Sequence, residues 1–164
     1  MLFWGFEMGK KKKIRVIALG LIRSGDSFAD PAGYRIFVSE GYDSLKKENF
    51  YRALGGGVEF GETSLEALKR EFQEEIQAEL TNIKYLDCLE NIFTCDGEAG
   101  HEIIQLYQCD FQDSKFYELP EMSFHEGKKK KKALWVDISK FTTGELQLVP
   151  KQFSDYLNGH FAGS

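Results

Sequence analysis

The sequence predicts an α+β domain in which a mixed sheet lies between helices. Apolar residues make up 42% of the 164 residues and aromatic residues 14%, which is typical of a globular protein. Strand-like segments stand before and after one long amphipathic helix, and a second helical segment closes the chain. A chain of this length forms one domain with a core of its own. We assign residues 13–160 to that domain and residues 1–12 to an N-terminal extension.

Strands are expected on both sides of the long helix. Residues 13–23 are predicted to form a strand. Their side chains alternate in polarity at first and are then apolar on both faces, as in a central strand. A turn-rich segment over residues 24–33 follows. The later predicted strands cover residues 34–39, 50–54, 84–94, 102–111 and 134–136. A longer loop over residues 95–100 should join two of them into a hairpin.

The long helix is predicted to begin at Thr63 or Ser64 and to end near Ala78. Thr63 and Glu66 have the spacing of a capping box. At about 100° per residue, one narrow apolar stripe must face a core; its members are Leu65, Leu68, Phe72 and Ile76. A short final helix is expected to start at Pro150, which suits a first helical position.

Three glutamates occupy the helix sector beside that stripe: Glu71, Glu74 and Glu75. Like charges four residues apart cost a few tenths of a kcal/mol even on an exposed helix. Clustered hard oxygen ligands are what Mg²⁺ or Mn²⁺ requires, and a bound cation removes the repulsion. Glutamate-rich helices are usually only solvated, but that alternative must also explain the glycines at 55–57 and their spacing from the helix.

The spacing resembles the Nudix box, the motif of Nudix (MutT-like) hydrolases. It is carried, in chain order, by Gly56, Glu62, Arg70, Glu71, Glu74 and Glu75. One position departs, because the family has glycine where this chain has Gln77. We expect the helix to run on past Gln77, so that glycine there would destabilise it by up to about 1 kcal/mol. The alternative is that Gln77 is strained at positive φ, in which case glycine would stabilise the protein. Residues 133–138 are similar to the late strand of this family, and the resemblance implies an α/β/α sandwich with a central mixed sheet.

The resemblance also implies a pyrophosphohydrolase that uses Mg²⁺ or Mn²⁺. Such metals neutralise phosphates, orient them and lower the pKa of a bound water. The implied metal ligands are Glu71, Glu74, Glu75 and the backbone carbonyl of Gly56. Glu62 would be an outer ligand or would bind the metal waters. Arg70 would orient a glutamate through a bidentate ion pair.

The general base and the substrate stay open. The candidate bases are Glu71, Glu74, Glu98, Glu102, Glu121 and Glu126, and His125 is the histidine to test. The candidate substrate contacts are Arg52, Gly57, Glu102 and Lys128. The aromatic side chains that could stack on a base are Phe50, Tyr51, Phe93 and Phe124. The substrate would be a nucleoside diphosphate linked to another group, such as a nucleoside triphosphate, ADP-ribose or another nucleotide sugar, or a dinucleoside polyphosphate.

Two lysine runs, at residues 10–13 and 128–132, are usually read as solvated surface. Their alternative role is attraction of phosphates. In a Nudix-like fold the second run should lie in a loop over the substrate cleft, and its removal should then lower kcat/KM at low salt.

Charge and cysteine usage exclude several classes. A net charge of −5 argues against general nucleic-acid binding, and no apolar run reaches the roughly 18 residues of a membrane span. Three cysteines without CxxC spacing fit a reducing cytoplasm.

The competing interpretation is a non-catalytic Nudix-like nucleotide sensor or interaction module, although such modules often lose box glutamates and this chain keeps them all. The oligomeric state, a homodimer included, stays open.

Overall fold

The computed structural model describes residues 12–25 and 33–160 of the chain. The strands are β1 (Arg15–Leu21), β2 (Arg23–Ser24), β3 (Arg35–Asp43), β4 (Glu48–Gly57), β5 (Leu80–Cys95), β6 (Glu98–Phe111), β7 (Glu121–Glu126) and β8 (Lys129–Asp137). The helices are α1 (Ser64–Ile76), α2 (Lys115–Glu118), α3 (Ile138–Thr142) and α4 (Gln152–His160). The N-terminal extension up to residue 11, and most of the predicted turn-rich loop, lie outside the described residues.

The strands form one mixed sheet in the order β5-β6-β1-β4-β3-β8-β7, with β2 beside β3. β1 runs parallel to β6, and the other pairs are antiparallel. One core cluster packs α1 against the sheet, and another packs α3 and α4 against it. The predicted α/β/α sandwich with a central mixed sheet is therefore confirmed.

β4 changes partner along its length. Its first part, residues 48–53, pairs with β3, and its last part, residues 54–57, pairs with β1. At the change Gly55 has φ +144°, and a Cβ there would lie 2.0 Å from the carbonyl oxygen of Ala18, so only glycine fits. We call β1, β5 and β6 the first arm and β3, β7 and β8 the second arm, because the sheet divides at this point.

The start of α1 follows its local sequence. Thr63 and Glu66 form the predicted capping box: the Glu66 N–H donates to Thr63 Oγ1 at 3.2 Å and the Thr63 N–H to Glu66 Oε2 at 2.8 Å. The buried face of the helix is formed by Ala67, Leu68, Phe72 and Ile76. Leu65 is 37% exposed, so the apolar stripe is shorter than expected.

The end of α1 differs from the prediction. Gln77 is left-handed, with φ 51° and ψ 41°, and its N–H donates to the Gln73 carbonyl at 3.1 Å. The bond from Gln77 to Gln73 is that of an αL capping motif, and the Ala78 N–H also donates back to the helix, to the Phe72 carbonyl at 3.2 Å. The expected continuation of the helix is wrong, because the chain reverses there to bury Ala78 and to start β5 at Leu80.

The β5–β6 connection is shorter than the predicted loop. Only Asp96 and Gly97 separate the strands, and both have positive φ, at 51° and 78°. Asp-Gly is a preferred pair for such a two-residue turn, so the flanking residues continue the ladder as far as Cys95 and Glu98.

The second lysine run is also not the loop that the sequence suggested. Lys129 to Lys132 belong to β8 and pair with β7, while Lys128 lies in the exposed turn before them. Acidic residues compensate the charge: Lys131 pairs with Glu126, and Lys132 Nζ lies 3.8 Å from Glu121. Cross-strand pairs of opposite charge stabilise such a hairpin.

The C-terminal helix begins at Gln152, two residues after the predicted start at Pro150. α2, β7 and α3 were not predicted from the sequence. Of the helices in the described ranges, none has both the length and the apolar character needed to cross a membrane.

Gln77→Gly should stabilise the protein. A non-glycine residue in the left-handed region destabilises the folded state by about 1–2 kcal/mol, and glycine removes this strain. The greater conformational freedom of glycine in the unfolded chain offsets part of the gain. We expect the free energy of unfolding to rise by about 1 kcal/mol, which corresponds to roughly 2–4 °C in Tm. Gln73→Gly, at an exposed position inside the same helix, should lower it by a similar amount. Thermal and urea unfolding of both variants provide the measurement, and a lower Tm for Gln77→Gly would contradict this account.

Candidate active site

Arg70 on α1 gathers acidic side chains around one guanidinium. Its Nε donates to Glu62 Oε1 at 2.7 Å and its Nη2 to Glu62 Oε2 at 3.0 Å, which is a bidentate pair. Nη1 donates to Glu71 Oε1 at 3.0 Å and Glu74 Oε2 at 3.3 Å. Nη2 also donates to the Gly57 carbonyl at 2.9 Å. The arginine thus connects the end of β4, the loop after it and the helix.

Glu62 is held as an ion by this network. The Arg70 guanidinium and the Glu59 N–H, which donates to Oε2 at 3.0 Å, lower the pKa of Glu62 to about 2. The same pairing raises the pKa of Arg70. Both oxygens of Glu62 have donors, so in this conformation its carboxylate positions Arg70.

Glu71 lies against the backbone of Gly56. A Cβ on Gly56 would meet the Glu71 carboxyl carbon at 2.4 Å, so the carboxylate occupies the place where any other residue would carry a side chain. Burial raises the pKa of Glu71, and the Arg70 pair opposes that rise. The glycine therefore serves close approach of a carboxylate to a strand backbone.

Glu75 is the most perturbed carboxyl of the helix. Burial raises its pKa to about 8, and the charges of Glu71 and Glu126 add to the rise. It lines a cavity of roughly 70 Å³, together with Arg52 and Lys131. Lys131 opposes the rise without cancelling it. An additional cation would relieve the remaining repulsion.

The donor set fits a divalent metal, although the side chains are not gathered for one. Within residues 12–25 and 33–160, no three acidic, histidine or cysteine side chains are grouped to hold an ion. Arg70 draws Glu71 and Glu74 to itself, whereas Glu75 lines the cavity. The hard oxygens, the raised pKa values and the close approach at Gly56 match the chemistry of Mg²⁺ or Mn²⁺.

A second acidic side chain, Glu102, contacts arginines that line the cavity. Glu102 on β6 is 2% exposed and accepts from Arg52 Nη2 at 2.9 Å, while Arg15 Nη1 lies 3.9 Å from its other oxygen. The Arg52 side chain is 26% exposed. Glu102 therefore contacts two arginines, and both of these arginines line the cavity.

A cleft of about 1200 Å³ opens between the two arms. Of the predicted substrate contacts and bases, it is lined by Arg52, Glu102 and Glu126. Lys128, Glu98, Glu121 and His125 occupy exposed positions and are not among the described residues that line it. Gly57 contributes its carbonyl to Arg70.

Two cleft residues were not singled out from the sequence as individuals. Arg15 lies on the same face of β1 as Ile17 and Leu19, which also line the cavity. The alternation of residues along the strand could therefore have pointed to Arg15. Lys131 is paired with Phe124 in the β7–β8 hairpin. Its position in the cavity depends on this strand register, which the sequence does not show.

Comparison with known proteins identifies the family. The sequence model of the NUDIX domain matches residues 31–156. The chain belongs to the Nudix family. It is accordingly a hydrolase that acts on phosphoric anhydride bonds, and the family activity is pyrophosphohydrolysis of nucleoside diphosphate derivatives.

Solved Nudix structures share the fold. A MutT protein from Bacillus halodurans has 14% identity and a TM-score of 0.60, over 92% of this chain and 84% of that chain. A NUDIX hydrolase from Nitrosomonas europaea has 16% identity and a TM-score of 0.58, over 90% of each. A structure from a study of MutT from Aliivibrio salmonicida and Vibrio cholerae has 21% identity and a TM-score of 0.52, over 88% of this chain and 97% of that chain. Comparison with curated proteins gives no match.

Gly56→Ala should reduce Nudix hydrolysis while the fold persists. The new methyl group would displace the Glu71 carboxylate, which is the end of a flexible side chain, so Tm should change by less than about 3 °C. We expect at least a tenfold loss of kcat, since a misplacement of about 1 Å can cost 100-fold. The neighbouring Gly57→Ala, whose Cβ would meet no atom within 4 Å, should lose much less. Equal losses in the two variants would show that the Glu71 position is not decisive.

Proposed function

We propose that the protein is a Mg²⁺- or Mn²⁺-dependent pyrophosphohydrolase. Its substrate is a nucleoside diphosphate linked to another group, such as a nucleoside triphosphate, ADP-ribose or a nucleotide sugar, or a dinucleoside polyphosphate. One observation carries the proposal: Glu71 and Glu75 are partly buried carboxylates with raised pKa values. Glu71 lies against Gly56, and Glu75 lines the cavity that Gly56 also lines. This arrangement is costly by itself and suits a bound cation.

Each box residue has a role in this proposal. Glu71, Glu74, Glu75 and the Gly56 carbonyl hold the metal, which when bound neutralises phosphate charge and acidifies water. The Glu62–Arg70 pair sets the position of Glu71 and Glu74. Glu71, Glu74 and Glu126 remain the candidates for the base that takes the proton of the attacking water.

Three cations support the binding of a phosphate chain. Arg15, Arg52 and Lys131 line the cavity that Glu75 also lines. Glu102 holds Arg52 in place, and a guanidinium fixed in this way loses little freedom when it binds phosphate. The phosphates would therefore lie between the glutamates of α1 and these cations.

The cysteines support a reducing compartment, and we place the protein in the cytoplasm. Cys88, Cys95 and Cys109 are free, and Cys88 is exposed. An exposed thiol persists where the surroundings are reducing.

A phosphate-release screen across nucleotide classes, with Mg²⁺ and Mn²⁺, tests the proposal directly. It also separates an enzyme from a binding module. Nucleotide binding without hydrolysis under every metal condition would favour the module.

Glu75→Gln should abolish turnover and yet raise Tm in EDTA. The amide cannot supply the ligand charge, but it removes a carboxyl whose pKa is raised from 4.5 to about 8 by burial and by the charges of Glu71 and Glu126. Such a carboxyl costs stability at any pH above its unfolded pKa, so the variant should be the more stable protein at neutral pH. Mn²⁺ should raise the Tm of the parent protein by mass action, and of Glu75→Gln much less. Glu79→Gln, an exposed change beyond the box, is the matched control and should behave as the parent does. Full turnover of Glu75→Gln, or turnover in excess EDTA, would refute the metal site.

Lys131→Met should lower kcat/KM at low ionic strength. Lys131 lines the cavity, and its attraction of phosphates is screened over about 8–10 Å near physiological salt. The defect should therefore shrink as salt is added. Lys130→Met, on the exposed neighbouring position, controls for net charge. Identical salt profiles of the two variants would exclude a local role for Lys131.

A further inference from the structure

Two turns, one from each arm of the sheet, are bonded to each other at the end of the cleft. The N–H and Oγ of Ser44, in the turn after β3, donate to Asp96 Oδ1 at 2.7 and 2.6 Å. Lys46 Nζ, in the same turn, donates to the Thr94 carbonyl at 2.6 Å. We call these three hydrogen bonds the latch, because they tie the β3–β4 turn to the β5–β6 turn.

The turn on each side of the latch is itself held in place. Asp43 is 4% exposed, and its Oδ1 accepts from the N–H groups of Leu45 and Lys46 at 3.1 and 3.0 Å. Its other oxygen lies 3.2 Å from Lys46 Nζ, so the lysine that reaches across is anchored. On the opposite side, a Cβ on Gly97 would lie 2.9 Å from Leu45 Cδ1, so the leucine packs on the glycine. The latch therefore joins two ordered turns.

The ion pair of Arg52 and Glu102 lies between the latch and the point where the sheet divides. Arg52 is four residues into β4 and Glu102 four residues into β6, counted from the strand end beside the latch. At about 3.3 Å per residue, each is roughly 13 Å along its strand. Gly55, where β4 changes partner, follows three residues after Arg52. The two strands are thus tied on both sides of this pair.

Arg52 keeps a donor for a ligand. Its Nη2 donates to Glu102 Oε2 at 2.9 Å, whereas its buried Nε makes no hydrogen bond within the described part of the chain. A buried donor without a partner is costly, and a phosphate oxygen would satisfy it. The bond to Glu102 joins β4 to β6, so its length depends on the separation of these strands. A widening of roughly 1 Å would break it.

We propose that the latch positions Arg52 for the phosphate chain by fixing the separation of β4 and β6. Ser44 and Asp96 act through Arg52, so they are positioning residues. The inference rests on the proposed function, in which Arg52 is one of the cations that bind the phosphates. With the latch open, binding of the phosphates must also restrain a long side chain, which weakens affinity about two- to tenfold.

Asp96→Gly is the variant that opens the latch. Glycine keeps the turn, since Asp96 has φ 51°, and it removes the acceptor of Ser44. The conservative partner is Asp96→Asn, which loses the same charge but retains an oxygen that can accept from Ser44. Loss of a negative charge near the cleft would by itself favour a polyanion. Weaker binding in Asp96→Gly alone would therefore report the position of Arg52.

Asn82→Gly is the matched control at the far end of the β5–β6 pair. Asn82 also has positive φ, at 50°, and its side chain donates to Asp110 Oδ2 at 2.9 Å. The change to glycine therefore removes a side-chain hydrogen bond between the same two strands, away from the cleft. It should leave phosphate binding as in the parent.

The test is calorimetry with inorganic tripolyphosphate in EDTA, which needs no hydrolysis. Asp96→Gly should bind about fivefold more weakly than the parent, and Asp96→Asn and Asn82→Gly should bind as the parent does. Arg52→Met should also weaken binding, and Asp96→Gly should add nothing in that background, because the latch acts through the guanidinium. Equal affinities of Asp96→Gly and the parent, or additive losses with Arg52→Met, would overturn the proposal.

Kinetics give a second readout. With the nucleotide that the parent hydrolyses best, Asp96→Gly should raise KM about fivefold and change kcat less than about twofold. A loss of kcat at unchanged KM would contradict positioning through Arg52.

The two measurements separate this inference from the proposed function. Tripolyphosphate binding that depends on the latch, in a parent that hydrolyses no anhydride, would support the latch and refute the enzyme. Hydrolysis by a parent whose tripolyphosphate binding is absent, or is the same in every Asp96 variant, would support the enzyme and refute the latch.

Discussion

The shared guanidinium of Arg70 is the interaction on which the site depends. It lies on the helix, yet it binds the Gly57 carbonyl at the end of β4 and both oxygens of Glu62 in the loop that follows. Without it, that loop would carry two acidic residues toward an acidic helix with no cation between them. With Arg70 in place, the Glu71 carboxylate lies between the guanidinium, which donates a hydrogen bond to it, and the backbone of Gly56. Of the three box glutamates on α1, Glu75 is the one that lines the cavity.

The cleft itself follows from a single strand. β4 pairs with β3 first and with β1 afterwards, and Gly55 permits the change. The two arms of the sheet diverge from there, and hydrogen bonds of Ser44 and Lys46 to Asp96 and Thr94 join their tips. The lining of this cleft includes charged side chains near the point where the arms divide, among them Arg15, Arg52 and Glu102.

Local features were predictable from the sequence, and long-range pairings were not. The capping box of Thr63 and Glu66 and the placement of the glutamates depend on residues a few positions apart, so helical spacing was sufficient. The parallel pairing of Arg15 with Glu102 joins residues far apart in sequence, and no local pattern specifies it. The lysine run was misread because its compensating acids lie on another strand. Gln77 was misread because helix propensity favoured continuation, whereas burial of Ala78 required a turn.

The backbone at Gln77 bears on how members of this family are recognised. The motif asks for glycine there because the chain must turn with positive φ, and this chain makes the turn with a side chain present. Asparagine, aspartate and, at greater cost, other residues reach the same conformation. A pattern search that demands glycine would reject this sequence at the one position where identity matters least to the chemistry. A search that scores the turn conformation and the spacing of the carboxylates would accept it, as it would any chain in which another residue makes this turn.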